Sequence, residues 1–197
     1  MKNFFKDGID TIVKFLVTQL GMTMFGTMLT LTIAGKALEK DNKNTFMLIL
    51  VSLVAIILYL YLIYVHVWEK GAKDRIKVDT GRMERQSLKG LYLSLVANSL
   101  NILLGLIMVI SRPFCDFVNN SKSIACQIFG ASNDIARIIQ GMYNGLLIYI
   151  SPNGMELSPI FFLLIPIPAI AVSTFGYLLG YSNRKISKFF KSTDSRK

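Results

Sequence analysis

A chain of 197 residues is one domain by length, and 52% hydrophobic against 17% charged residues excludes an ordinary small soluble domain. A formal charge of +10 would suggest nucleic acid in a soluble protein. Here the basic residues sit at the ends of apolar runs, with no separate basic face interleaved with aromatics, so no nucleic-acid partner is expected. The apolar residues come in uncharged runs; residues 46–67 carry no Lys, Arg, Asp or Glu, enough to cross a hydrocarbon core about 30 Å thick. The expected fold is an all-α integral membrane protein. It reads as a four-transmembrane-helix bundle with an extra amphipathic or re-entrant helix in the last external loop.

In chain order, Phe4, Phe5, Ile9, Ile12 and Val13 share one helical face, the pattern of a short interfacial helix leading into the membrane. Met1-Lys2 opens like a signal peptide, but Asp7 and Asp10 follow and no small-x-small site ends the apolar run. The first span, 15–34, is therefore expected to stay in the chain. Thr23, Gly26, Thr27, Thr30 and Ala34 form a small stripe on it, and small residues let helix backbones approach closely in lipid. Met22, Met24 and Met28 read as adaptable packing. The second span, 45–68, ends in Tyr59, Tyr61, Tyr64 and Trp68, rings that favour the headgroup region. His66, alone of its kind and with only Glu69 near it as a possible co-ligand, makes a poor metal ligand; no metal is expected.

A charge-dense loop, 69–87, follows. Lys70, Lys73, Arg75, Lys77, Arg82 and Arg85, with Lys89 just beyond, face Glu69, Asp74, Asp79 and Glu84. The acidic residues among so many basic ones are expected to be solvated. The third span, 88–111, carries Gly90, Ser94, Ala97, Asn98, Asn101 and Gly105 on one stripe at steps of three and four. A lipid-facing asparagine would leave its amide unsatisfied, so this stripe is expected to face protein or trapped water. Ser94, Asn98 and Asn101 are thus candidate intramembrane polar contacts, as helix–helix glue or as the lining of a polar path.

From 112 to 157 the chain is mixed. Residues 134–150 set Arg137, Gln140, Gly141, Asn144 and Gly145 opposite an isoleucine- and leucine-rich face. At about 1.5 Å per residue they reach only about 25 Å, marginal for crossing. An amphipathic helix on the outer surface or dipping into the bundle is expected, capped by Ser132, Asn133 or Asp134, with a re-entrant hairpin as the rival. The final span, 159–181, is uncharged. Pro166 and Pro168 should kink it, and Ala169, Ser173, Gly176 and Gly180 form another small stripe. Gly26, Gly90, Gly105, Ser173, Gly176 and Gly180 are the expected helix-packing positions. The tail, 183–197, adds Ile186, Phe189 and Phe190 at amphipathic spacing.

Orientation follows from charge. With four spans, the N-terminal segment, the central loop with Lys89, and the tail hold 16 of the 22 Lys and Arg residues. Both termini are therefore expected on the cytoplasmic side of the cell membrane. Lys70, Lys73, Arg75, Arg184, Lys185 and Lys188 are placed to contact anionic lipid headgroups there. Cys115 and Cys126 fall in one outer loop, as an expected disulfide or as two ordinary thiols. No internal repeat is evident.

Enzyme chemistry finds no residues. Gly-x-Ser-x-Gly, His-Glu-x-x-His and glycine-rich phosphate loops are missing, and the spans lack charged side chains apart from Lys89 at the start of the third. No catalytic residue and no cofactor are expected. The expected function is a non-enzymatic accessory, assembly or regulatory subunit, paired with a membrane protein or with its own copies. The alternative is a small-solute permease or channel with a polar path near Asn98 and Asn101.

Overall fold

In the computed structural model, described for residues 2–37, 42–84, 86, 88–115, 123–150 and 157–182, every regular element is helical. The helices are α1 (Lys2–Ala37), α2 (Asn42–Asp79), α3 (Lys89–Ala97), α4 (Ser99–Ser111), α5 (Ile124–Ile139), α6 (Asn144–Ile150), α7 (Ile160–Leu164) and α8 (Ile167–Tyr181), with 3-10 turns at Arg112–Phe114 and Gly141–Tyr143. Three stretches are long and apolar enough to cross a membrane: Gly8–Ile33, Phe46–Asp79 and Ile160–Tyr181. The bent pair α3–α4 makes a fourth if it counts as one span.

Three local features depart from the expected layout, each for a readable reason. The charge-dense stretch after Trp68 is helical as far as Asp79. Its opposite charges repeat at i,i+4, as Glu69–Lys73, Lys70–Asp74 and Arg75–Asp79, a spacing that supports a helix and not a loop. The helix then stops at Gly81, whose φ of 70° lies in the left-handed region. Arg82 N–H donates to Lys77 O at 2.9 Å and Gly81 N–H to Val78 O at 2.9 Å, the two bonds of a Schellman cap.

The third span breaks at Asn98, whose backbone sits at φ −94°, ψ 6°. An asparagine inside a helix offers the backbone a competing amide, which lowers its helix preference. The amphipathic helix begins at Ile124 and not at 134. Ser123 caps it, its Oγ accepting from Cys126 N–H at 3.3 Å, and it ends at Gln140, ahead of the 3-10 turn. In the last span α7 ends at Leu164 and α8 starts at Ile167. Pro166 and Pro168 have no N–H to continue the ladder there.

The chain divides into two compact units. One gathers Met1–Phe15, Leu60–Ala97 and Pro168–Lys197, that is, the start of α1, the second half of α2, α3 and α8. Its core includes Ile63, Val67, Leu93 and Tyr177. The other gathers Leu16–Tyr59 and Asn98–Ile167. In it α4 packs on α5 and α7, around Met108, Phe129, Ala136 and Phe162.

Cys115 and Cys126 stand at disulfide distance, with S–S 2.02 Å and Cα–Cα 4.7 Å. The pair ties the end of α4 to the start of α5, so α5 runs back along α4. Arg112 adds its guanidinium 5.7 Å from the centre of the Phe129 ring, between the same two elements. A short ring of this kind stabilises by about 2–3 kcal/mol on the chain-entropy estimate. Intact protein alkylated without reductant is expected to keep both cysteines unmodified in its mass spectrum. Two added alkyl groups on natively prepared membranes would show that the bond is absent.

Candidate functional site

The densest polar chemistry lies in the first unit, where α2, α3 and α8 meet. Asp74 of α2 is fully buried. Lys89, at the start of α3, places Nζ 2.9 Å from Asp74 Oδ2 and is itself 2% exposed. Lys70, one turn before Asp74, places Nζ 3.2 Å from Oδ1, an ionic contact outside hydrogen-bond alignment. Tyr177 of α8 donates its hydroxyl to Asp74 Oδ2 at 3.2 Å. Lys89 Nζ also reaches Met83 Sδ at 3.6 Å. One carboxylate thus gathers two ammonium groups and a phenol from three helices.

Glycines bring the helices close enough for these contacts. A Cβ on Gly71 would run into Tyr177 O, with Tyr181 N at 2.9 Å. On Gly90 it would run into the Tyr177 side chain, and on Gly180 into Trp68 O with Trp68 C at 2.8 Å. On Gly176 it would meet Tyr64 at 3.2 Å. Ser173, fully buried, donates Oγ to Ala169 O of its own helix at 2.5 Å, which removes its hydroxyl from the interface.

A buried ion pair costs desolvation, which close geometry and further donors must offset. Asp74 has both. The arrangement can fix the relative positions of three helices. Among the described residues no group of three or more His, Cys, Asp and Glu side chains is placed to hold a metal ion.

The second unit holds the asparagines. Asn101 Nδ2 donates to Asn98 Oδ1 at 3.3 Å, and both side chains are buried. Ser94, on α3 of the first unit, is fully buried. Gly26 packs on the backbone of Met142, and Gly105 on Leu163 at 3.0 Å. Ser52 Oγ accepts from Leu146 N–H at 3.2 Å, and Thr23 donates Oγ1 to Ile139 O at 2.6 Å.

Of the residues expected at a lipid surface, Lys70 is largely enclosed against Asp74, its side chain 12% exposed. Lys73 pairs with Glu69 at 2.6 Å and Arg75 with Asp79 at 3.5 Å, both open to solvent. Arg184, Lys185 and Lys188 lie outside the described residues. Asp74, read from sequence as solvated, is the most enclosed acid described, and Lys89 is its partner. The signal was present in part: Lys70 and Asp74 stand at i,i+4, and Tyr177 follows Ser173 by four on the small stripe of α8. Nothing local marks Lys89 as the partner, because that pairing depends on how α3 returns.

No protein-family model, curated protein or solved structure matches this chain.

Proposed function

We propose that this protein is a non-enzymatic, multi-pass membrane protein that acts as an accessory, assembly or regulatory subunit through helix–helix packing. Its partner is another membrane protein or further copies of itself. The observation that carries this reading is that the buried charges of the first unit are spent on one another. Asp74 of α2 is tied to Lys89 of α3 and Tyr177 of α8, with Lys70 beside it, so these groups hold helices instead of presenting a reactive group. The outer faces of α1 and α2 are apolar, with Val17, Met24, Met28, Leu31 and Ile57 exposed, as lipid or a membrane partner requires. In this reading four spans cross the cell membrane, both termini are cytoplasmic, and Lys73, Arg75 and the basic tail meet anionic headgroups.

The second reading, a small-solute permease or channel, is favoured by buried polar groups that the packing leaves unmatched. Asn101 Oδ1 is buried and meets no protein partner, as an amide lining a polar path would.

Mild-detergent purification with mass spectrometry, run beside liposome flux, separates the two. A stoichiometric membrane partner or a stable homo-oligomer with no solute flux is expected. A lone monomer that passes solute would replace the first reading by the second.

A further inference from the structure

In the second unit, α5 descends along α4 from the Cys115–Cys126 pair and its end meets the interior of α1. Thr23, well inside the Gly8–Ile33 stretch, donates to Ile139 O at 2.6 Å. The chain then turns at 140–143. Gly141 lies against Thr27 and Thr23, and Met142 against Gly26. Next, α6 leaves along α2: a Cβ on Gly145 would meet Leu48 O at 2.6 Å, and Leu146 N–H donates to Ser52 Oγ at 3.2 Å. Leu48 is two positions from Phe46, where the apolar stretch of α2 begins. The α6 segment therefore moves from the middle of α1 back toward the end where α1 hands over to α2. If α3–α4 counts as one span, the cysteine pair is at that same end.

At the turn stands a group the packing does not satisfy. Gln140 is 1% exposed, and neither Nε2 nor Oε1 meets a protein partner. Tyr143, whose N–H donates to Gln140 O at 2.8 Å, is buried, and its hydroxyl is likewise without a protein partner. A buried primary amide seeks two acceptors and up to two donors, and a phenol seeks one of each. Leaving such groups unmatched at membrane depth is costly, and the usual resolution is an ordered water or a bound polar molecule. The α1 side chains that Gly141 lies against are Thr23 and Thr27, both uncharged. The nearest charges in sequence are turned elsewhere: Arg137 Nε donates to Asn133 Oδ1 at 3.2 Å, and Asp134 is exposed.

We propose that α5, the Gly141–Tyr143 turn and α6 form a re-entrant hairpin whose tip, at Gln140 and Tyr143, binds a small uncharged molecule that both donates and accepts hydrogen bonds. Water is the smallest such molecule and glycerol a larger one. The neutral lining disfavours an ion, which would lose its hydration without a countercharge. Broken helices at depth are tolerated where they line such a site. The proposal rests on the multi-pass reading and is independent of the accessory role.

Hydroxyl-radical footprinting of the full chain in nanodiscs tests it, because radicals generated from bound water modify side chains that bulk solvent does not reach. Met142 and Tyr143, 1% and 6% exposed, are reactive reporters. Both are expected to be modified in the wild type, and at least threefold less in Gln140→Leu. Gln140→Leu should also melt lower, since the bound molecule loses its partner. Gln140→Met and Tyr143→Phe repeat the comparison should the leucine variant fail to fold. Saturation-transfer NMR with glycerol distinguishes the occupants: a signal in the wild type that Gln140→Met abolishes identifies a solute site, and footprinting without that signal identifies water. Unmodified Met142 and Tyr143 in the wild type, or a Gln140→Leu chain that melts higher, would overturn the proposal. Either result would leave the partner and flux measurements above untouched.

Discussion

Gly180→Leu is expected to lower stability by about 3 kcal/mol, at the upper end for overpacking, because the new side chain meets backbone and not the tip of a flexible neighbour. The added Cβ alone would run into Trp68 O, with Trp68 C at 2.8 Å and Cα at 3.0 Å. Backbone in the middle of α2 cannot give way without moving the helix, so α8 must shift outward. That shift would pull Tyr177 from Asp74, which adds a second loss. Gly21→Leu is the matched control, since a Cβ there meets nothing within 4 Å. Melting in mild detergent should show a large fall for Gly180→Leu and almost none for Gly21→Leu. Equal melting of the two would mean that α2 and α8 do not approach as described.

Asp74→Leu is the second substitution with a large expected effect. It strands the Lys89 ammonium in a buried position and removes the acceptor of the Tyr177 hydroxyl. Breaking a buried pair from one side costs about 3–5 kcal/mol. Lys89→Met should cost less, because Asp74 then keeps Lys70 and Tyr177. Glu69→Gln should be nearly silent, although its partner Lys73 is at 2.6 Å, because that pair is open to solvent. The expected order of melting temperatures is therefore wild type close to Glu69→Gln, then Lys89→Met, then Asp74→Leu.

Much of the packing could be read from residue spacing. Gly90, Ser94, Ala97, Asn98, Asn101 and Gly105 recur at three and four, and all are buried. Gly176 and Gly180 follow the same rule on α8, and two proline rings mark its interruption. Apolar surroundings account for this legibility, since an amide or bare backbone facing hydrocarbon is costly enough to force one orientation. The ion cluster was harder to read. Lys70, Asp74 and Lys89 have the composition of a solvated loop, and only the i,i+4 spacing of the first two hints at a helix. What buries Asp74 is the return of α3 and α8, a long-range event that no local pattern encodes. The start of α5 was obscured in a similar way. Cys126, Phe129, Ser132 and Ala136 form its packing stripe, but Ser132 and Asn133 look like helix-starting residues when read alone.

The central claim is that interior polar groups of this protein hold helices together, and the Asp74–Lys89 pair tests it most directly. A double-mutant cycle over Asp74→Leu, Lys89→Met and the double variant, read by melting in mild detergent, isolates their coupling. The double variant is expected to be more stable than Asp74→Leu alone by about 2 kcal/mol, since the fully buried Lys89 ammonium no longer faces an apolar side chain in place of its carboxylate. Strictly additive losses, or an Asp74→Leu chain as stable as the wild type, would contradict the claim.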